Sequence, residues 1–151
     1  MLFRSRKYIK RMEKIHGRKF PFKIIRGFLS TAFGFGYNFR GDESWFACPC
    51  DSSLRAINVA MHEIMHLIFH YYFDGWGKKF SLVKTQMWAI KESFTVLLNL
   101  ECADLRIRKD AGYPDHQKLR AKISKDWEKY KNFDKVLNRT CEYVRKNKLF
   151  L

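Results

Sequence analysis

The stretch Asn58-Val-Ala-Met-His62-Glu63-Ile-Met-His66-Leu-Ile-Phe-His70 decides how the rest of the chain is read. On a helix, residues four apart share one face, one turn above the other. His62 and His66 have that spacing, so their imidazoles stand side by side and can take one Zn²⁺. Glu63 sits one residue round, where its carboxylate can reach a water on such a metal and take its proton. Leu54, Ile57, Met61, Ile64, Ile68 and Tyr71 recur at helical spacing as an apolar stripe. Asn58, His62, His66, Phe69 and Phe73 form a second stripe on another face. A plainer reading places two histidines and a glutamate on a solvated face, but it explains poorly why they sit in so apolar a helix.

Two histidines do not hold a catalytic zinc; a third protein ligand is expected, with water in the fourth position. His70 continues the series, but at ~1.5 Å rise per residue it lies ~6 Å beyond His66 along the axis. A straight helix cannot bring all three to one ion, so His70 reads as a residue of the cleft or of the surroundings of the ligands. Glu92 fits better. It lies in Met87-Trp-Ala-Ile-Lys-Glu92-Ser-Phe-Thr-Val-Leu-Leu-Asn-Leu100, which is apolar nearly all round and so expected to be buried. A carboxylate there needs an opposite charge, and a metal or a core arginine would each supply one. Asn99 shares its face, and Glu101 is roughly opposite.

The chain has 151 residues, 46% of them hydrophobic, which predicts a single domain over 1–151 with a real core. No apolar run approaches the ~18–20 residues of a membrane span, and no apolar segment follows the basic start as in a signal peptide. Cys48, Cys50, Cys102 and Cys141 lack Cys-x-x-Cys spacing and read as reduced thiols of a cytoplasmic protein, with Cys48-Pro49-Cys50 a strand end. The formal net charge of +15 is uneven: +9 over residues 1–27, −2 over 28–105 and +8 over 106–151. The histidine-bearing centre is near neutral. The basic ends could meet nucleic acid, an anionic surface or an acidic partner, or be plain solvated surface.

Periodicity predicts a basic amphipathic helix over 2–16, with Tyr8, Ile9, Met12 and Ile15 on one side and Gly17 as its stop. Alternation predicts a strand over 19–28, carrying Phe20, Phe22, Ile24 and Phe28. A second is expected on Phe33, Phe35, Tyr37 and Phe39, whose other face, Gly34 and Gly36, is bare backbone open to a packed helix. A third runs from Ser44 to Cys48 and is closed by Pro49. Asp51, Ser52 or Ser53 caps the histidine helix, which runs to about Phe73. A helix from Val83 or Met87 to Arg108 follows, then one from His116 to Lys131 capped by Asp115, and a last from about Asp134 to Asn147. The predicted class is α+β: a small three-stranded antiparallel or mixed sheet packed on the histidine helix, with a helical C-terminal half.

His62-Glu63-Ile-Met-His66, followed after 25 residues by Glu92 on a second helix, resembles the gluzincin zinc metallopeptidases. The extension through His70 resembles the ImmA/IrrE-type peptidases, and the compact size the minigluzincins. The resemblance covers roughly residues 19–105, and its zinc motif is the specific part. It implies His62, His66 and Glu92 as ligands of Zn²⁺ and Glu63 as general base for hydrolysis of a protein or peptide substrate. It also places the third strand beside the cleft, where a peptide could add as a further strand. Val96 departs from the pattern, standing where many gluzincins have an acid one turn after the ligand glutamate. Tyr71, Tyr72, Tyr113 and His116 are candidates for the transition-state hydrogen-bond donor. Small gluzincins can carry a segment over the cleft, so residues 2–16 read either as a lid or, from their apolar stripe, as part of the core. The competing functional class is a basic nucleic-acid-associated protein with a structural zinc, or an SprT-like protease, whose pattern wants a third histidine.

Overall fold

The computed structural model describes residues 2–31, 36–105 and 108–151, with side chains from residue 5 onward. The first helix, α1, spans Leu2–His16 and gives way to Gly17 at φ +63°, a left-handed stop that suits glycine. Its Tyr8, Met12 and Ile15 are buried in the main core, and the Tyr8 hydroxyl donates to the Met61 carbonyl. The apolar stripe of α1 is therefore core, and α1 is not a loose cover.

Only the end of the first expected strand forms. β1 is Arg26–Ser30; β2 is Gly36–Asn38 and β3 is Trp45–Pro49. Residues 19–25 instead wrap over the helices: Phe22 enters the core, and the Phe20 N–H donates to the Glu13 carboxylate at 3.0 Å. Pro21 lacks the N–H that continued pairing would need. Phe33, Gly34 and Phe35 of the second expected strand lie outside the described residues. A Cβ at Gly36 would meet nothing within 4 Å among the described residues, so no described helix uses that bare position for close approach. The sheet order is β1-β3-β2, with β1 parallel and β2 antiparallel to β3. The sheet is mixed and the fold α+β, as expected. Trp45, Phe46 and Ala47 of β3 are paired on both sides, so they cannot accept an added peptide strand. That expectation is corrected: β3 is the middle strand and β2 the edge nearest the histidines.

Helix α2, Ser53–Phe73, starts where the Ser52 hydroxyl accepts from the Arg55 N–H. Neither glycine nor proline interrupts it, and it runs unbroken through the histidine motif. Its first half lies on the sheet, with Ala56, Val59, Ala60 and Ile64 against Phe46 and Cys48. Its second half runs into a ring cluster of Phe69, Phe73, Phe94 and Phe133, with centroids 4.8–6.5 Å apart. Each such buried ring contributes roughly 1.5–3 kcal/mol. Leu54 and Tyr71, the ends of the other predicted stripe, are about half exposed.

After the short α3, Trp76–Lys79, the long helix expected to Arg108 is broken into α4, Lys84–Phe94, and α5, Val96–Glu101, followed by a 3₁₀ turn at Ala103–Leu105. The break falls at Thr95, whose hydroxyl donates to the Glu92 carbonyl at 2.7 Å. Arg120 donates to the same hydroxyl at 2.8 Å. These contacts satisfy groups that an unbroken helix would have bonded internally. Helix α6 is Gln117–Tyr130 and α7 is Phe133–Lys146, the latter capped by the Asn132 side chain. Asp115 does not cap α6; Pro114 opens a 3₁₀ turn that runs into it. Cys48, Cys102 and Cys141 are buried thiols, Cys50 is an exposed one, and none of the four is in a disulfide. No described helix is long and apolar enough to cross a membrane.

Candidate metal centre

His62 and His66 project from one face of α2, and Glu92 faces them from α4. The two Nε2 atoms are 2.8 Å apart. Glu92 Oε2 lies 3.5 Å from His62 Nε2 and 3.2 Å from His66 Nε2. Three atoms bound tetrahedrally at ~2.0–2.1 Å would be about 3.3 Å from one another. The observed spacings bracket that value, so this group can hold a metal ion. The donor set also fits: two imidazoles and a carboxylate, with their ligand atoms within 4.8 Å of one another.

The electrostatics follow from burial and partners. His62 Nδ1 is 2.6 Å from Asp110 Oδ2. Burial opposes a charge on His62, but the hydrogen bonds to Asp110 and Glu92 outweigh it and raise its pKa to about 9. His66 is more deeply buried, and desolvation lowers it to about 4. In the metal-free chain, then, His62 is charged and His66 neutral. Burial also opposes ionisation of Glu92, yet hydrogen bonds from His62 and His66 hold it well below the usual carboxylate range. Asp110 is likewise buried but held at about 2, chiefly by His62 and then by Arg120. Protons and a metal compete for the same atoms in such a group.

Asp110 is the residue that sequence reasoning missed. It reads there as part of a helix-ending turn. In the fold its carboxylate lies 2.9 Å from Thr95 Oγ1 and meets Arg120 Nη2 at 3.1 Å. Its backbone N–H and carbonyl pair with the Asn99 side chain at 2.7 and 2.9 Å. Metal-bound histidines commonly donate their second N–H to a carboxylate in this way. The core arginine weighed as a partner for Glu92 pairs with Asp110 instead; the cation on Glu92 is Lys91, at 3.1 Å.

Glu63 is buried, and desolvation raises its pKa, with His62 opposing and Glu92 adding to the rise. With His62, Asp110, Asn58 and Lys109 it lines a cleft of about 350 Å³. His70 is not brought into the cluster. Its Nδ1 meets Asp74 Oδ1 at 2.7 Å and its Nε2 meets the Tyr37 hydroxyl at 2.6 Å. Of the candidate hydrogen-bond donors, the Tyr72 hydroxyl bonds the Lys19 carbonyl, and Tyr113 and His116 pack on Trp88. Tyr71 stacks edge-on to Phe22. Tyr37 from β2 is the tyrosine beside the histidines, its ring 5.4 Å from that of His66. Its place in the alternating aromatic run was the one available sequence signal.

No family model matches the chain, and comparison with curated proteins and with solved structures finds no match. The likeness to gluzincins therefore rests on the sequence motif alone.

Proposed function

We propose that this chain is a zinc-dependent metallopeptidase, with His62, His66 and Glu92 as ligands and Glu63 as general base. The observation that carries this reading is the convergence of three donor atoms from two helices beside a buried, basic-shifted Glu63 on an accessible cleft. Two imidazoles and one carboxylate suit zinc, and a three-residue protein set is the pattern of catalytic sites. Bound there, zinc would polarise a scissile carbonyl and lower the pKa of water toward ~7. Asp110 holds the His62 ring so that Nε2 faces the ligand point. Glu63, kept out of bulk water, takes the proton of the attacking water and hands it to the leaving amine. The outer edge of β2 is unpaired among the described residues and lies on the histidine side of the sheet, which suits an extended peptide better than β3 does.

The nucleic-acid alternative draws less support. Several cations of the basic ends are engaged with acids of the chain: Arg18 with Asp134, Lys7 and Arg11 with Asp104, Lys131 with Glu101. Metal analysis of purified wild type, Glu92→Ala and His70→Ala tests the assignment, alongside casein hydrolysis with and without chelator. One zinc in wild type and His70→Ala, its loss in Glu92→Ala and chelator-sensitive hydrolysis are expected. Zinc retained in Glu92→Ala but lost in His70→Ala would overturn the ligand set, and zinc without hydrolysis would overturn the peptidase.

A further inference from the structure

The two oxygens of Glu92 face different partners. Oε2 points at the two histidine nitrogens, and Oε1 lies 3.1 Å from the ammonium of Lys91. Lys91 is itself buried, at 6% exposure, and its ammonium also donates to the Tyr37 hydroxyl. A lysine ammonium only donates. Tyr37 must therefore spend its own proton elsewhere, and His70 Nε2 is 2.6 Å away. That makes Nε2 the acceptor and puts the His70 proton on Nδ1, which faces Asp74 Oδ1 at 2.7 Å. Each link of this relay has a donor and an acceptor: Lys91 to Glu92 and Tyr37, Tyr37 to His70, His70 to Asp74. The relay runs from an exposed carboxylate on the end of α2, through the edge strand, to the carboxylate beside the histidines. The stacking of Phe39 on His70, centroids 5.6 Å apart, holds the middle in place.

We infer that Lys91 is a positioning residue that occupies Glu92 Oε1 and so leaves Glu92 to bind the metal through Oε2 alone, with Tyr37, His70 and Asp74 fixing the lysine. This role rests on the metal reading above. It explains what His70 does in a motif whose third histidine is out of reach of the ion. It also explains a buried lysine next to a ligand, since an ammonium there competes for one oxygen and keeps the other free. A carboxylate turned to bind through both oxygens would take a coordination position that water or substrate needs.

The test compares wild type, Lys91→Met, Lys91→Arg and Tyr37→Phe. Zinc affinity is read by chelator competition, coordination by the visible spectrum of the Co²⁺-loaded chain, and folding by melting temperature. Lys91→Met should bind zinc 10–100-fold more weakly, the usual cost of losing an outer partner of a ligand, and should shift the Co²⁺ bands toward higher coordination number. Lys91→Arg should restore much of both, and Tyr37→Phe should show a smaller change in the same direction. Nitrogen NMR of the metal-free chain should find His70 protonated on Nδ1. A folded Lys91→Met with wild-type affinity and Co²⁺ spectrum overturns the proposal. If Lys91→Met does not fold, an unchanged Co²⁺ spectrum in Tyr37→Phe overturns it instead. A wild-type chain that binds no metal overturns the metal reading itself, an outcome distinct from wild type and variant binding alike.

Discussion

Asp110 Oδ2 lies 2.6 Å from His62 Nδ1, joining residues 48 apart in the chain. The contact fixes the proton of His62 on Nδ1 and turns Nε2 toward His66 and Glu92. Asp110 is fixed in turn by Thr95, Asn99 and Arg120. Asp110→Asn should therefore weaken zinc binding by about 10–100-fold. Chelator competition measures it. An affinity equal to wild type would remove Asp110 from the centre.

Glu63→Gln should keep the metal and the fold but lose hydrolysis by about 10²–10⁴-fold. Glutamine fills the same volume and cannot accept the water's proton. Zinc content and turnover of a peptide library, measured on one preparation, separate the two effects. A Glu63→Gln protein that turns over at the wild-type rate would take Glu63 out of the mechanism.

His16 gives the fold an acid sensitivity independent of the metal. It is buried among Phe73 and Phe133, and desolvation lowers its pKa from 6.5 to about 4. Its Nδ1 donates to the Met12 carbonyl, while Nε2 has no hydrogen-bond partner among the described residues. The unfolded chain binds the His16 proton first as pH falls, so this contribution is full above about pH 6.5 and is lost progressively down to about pH 4. The loss is on the order of 3 kcal/mol. Urea titrations across that range should show it in wild type, and His16→Leu should flatten it. An unchanged pH slope in a folded His16→Leu chain would refute this origin.

Deleting residues 1–17 should leave the chain insoluble or strongly destabilised, because Tyr8, Met12 and Ile15 are buried in the main core. Met12→Ala alone should cost about 2–5 kcal/mol. Thermal melts and solubility measure both. A deletion variant that melts like wild type and hydrolyses peptides faster would restore the lid reading.

What the sequence determined by itself was whatever depends on local spacing. The i, i+4 histidines, the uninterrupted 53–73 stretch and its Ser52 cap fix α2 and the face that carries His62 and His66. An apolar surrounding marked Glu92 as a carboxylate in need of partners. Pro49 marked the close of β3, and Tyr8, Met12 and Ile15 gave the buried side of α1. The tertiary structure decided the rest, because those features depend on residues far apart in the chain. β3 became the middle strand only through pairing with both β1 and β2. Residues 19–25 left the sheet because Phe22 had a better place in the core. The helix expected to Arg108 broke at Thr95, where Arg120 reaches in from α6. That break lets the chain turn and bring Asp110 back over His62. No local pattern marks Asp110, since an aspartate before Ala-Gly also suits a turn. Nor does any pattern link Asp74, His70, Tyr37 and Lys91; they meet only once β2 is laid against α2 and α4.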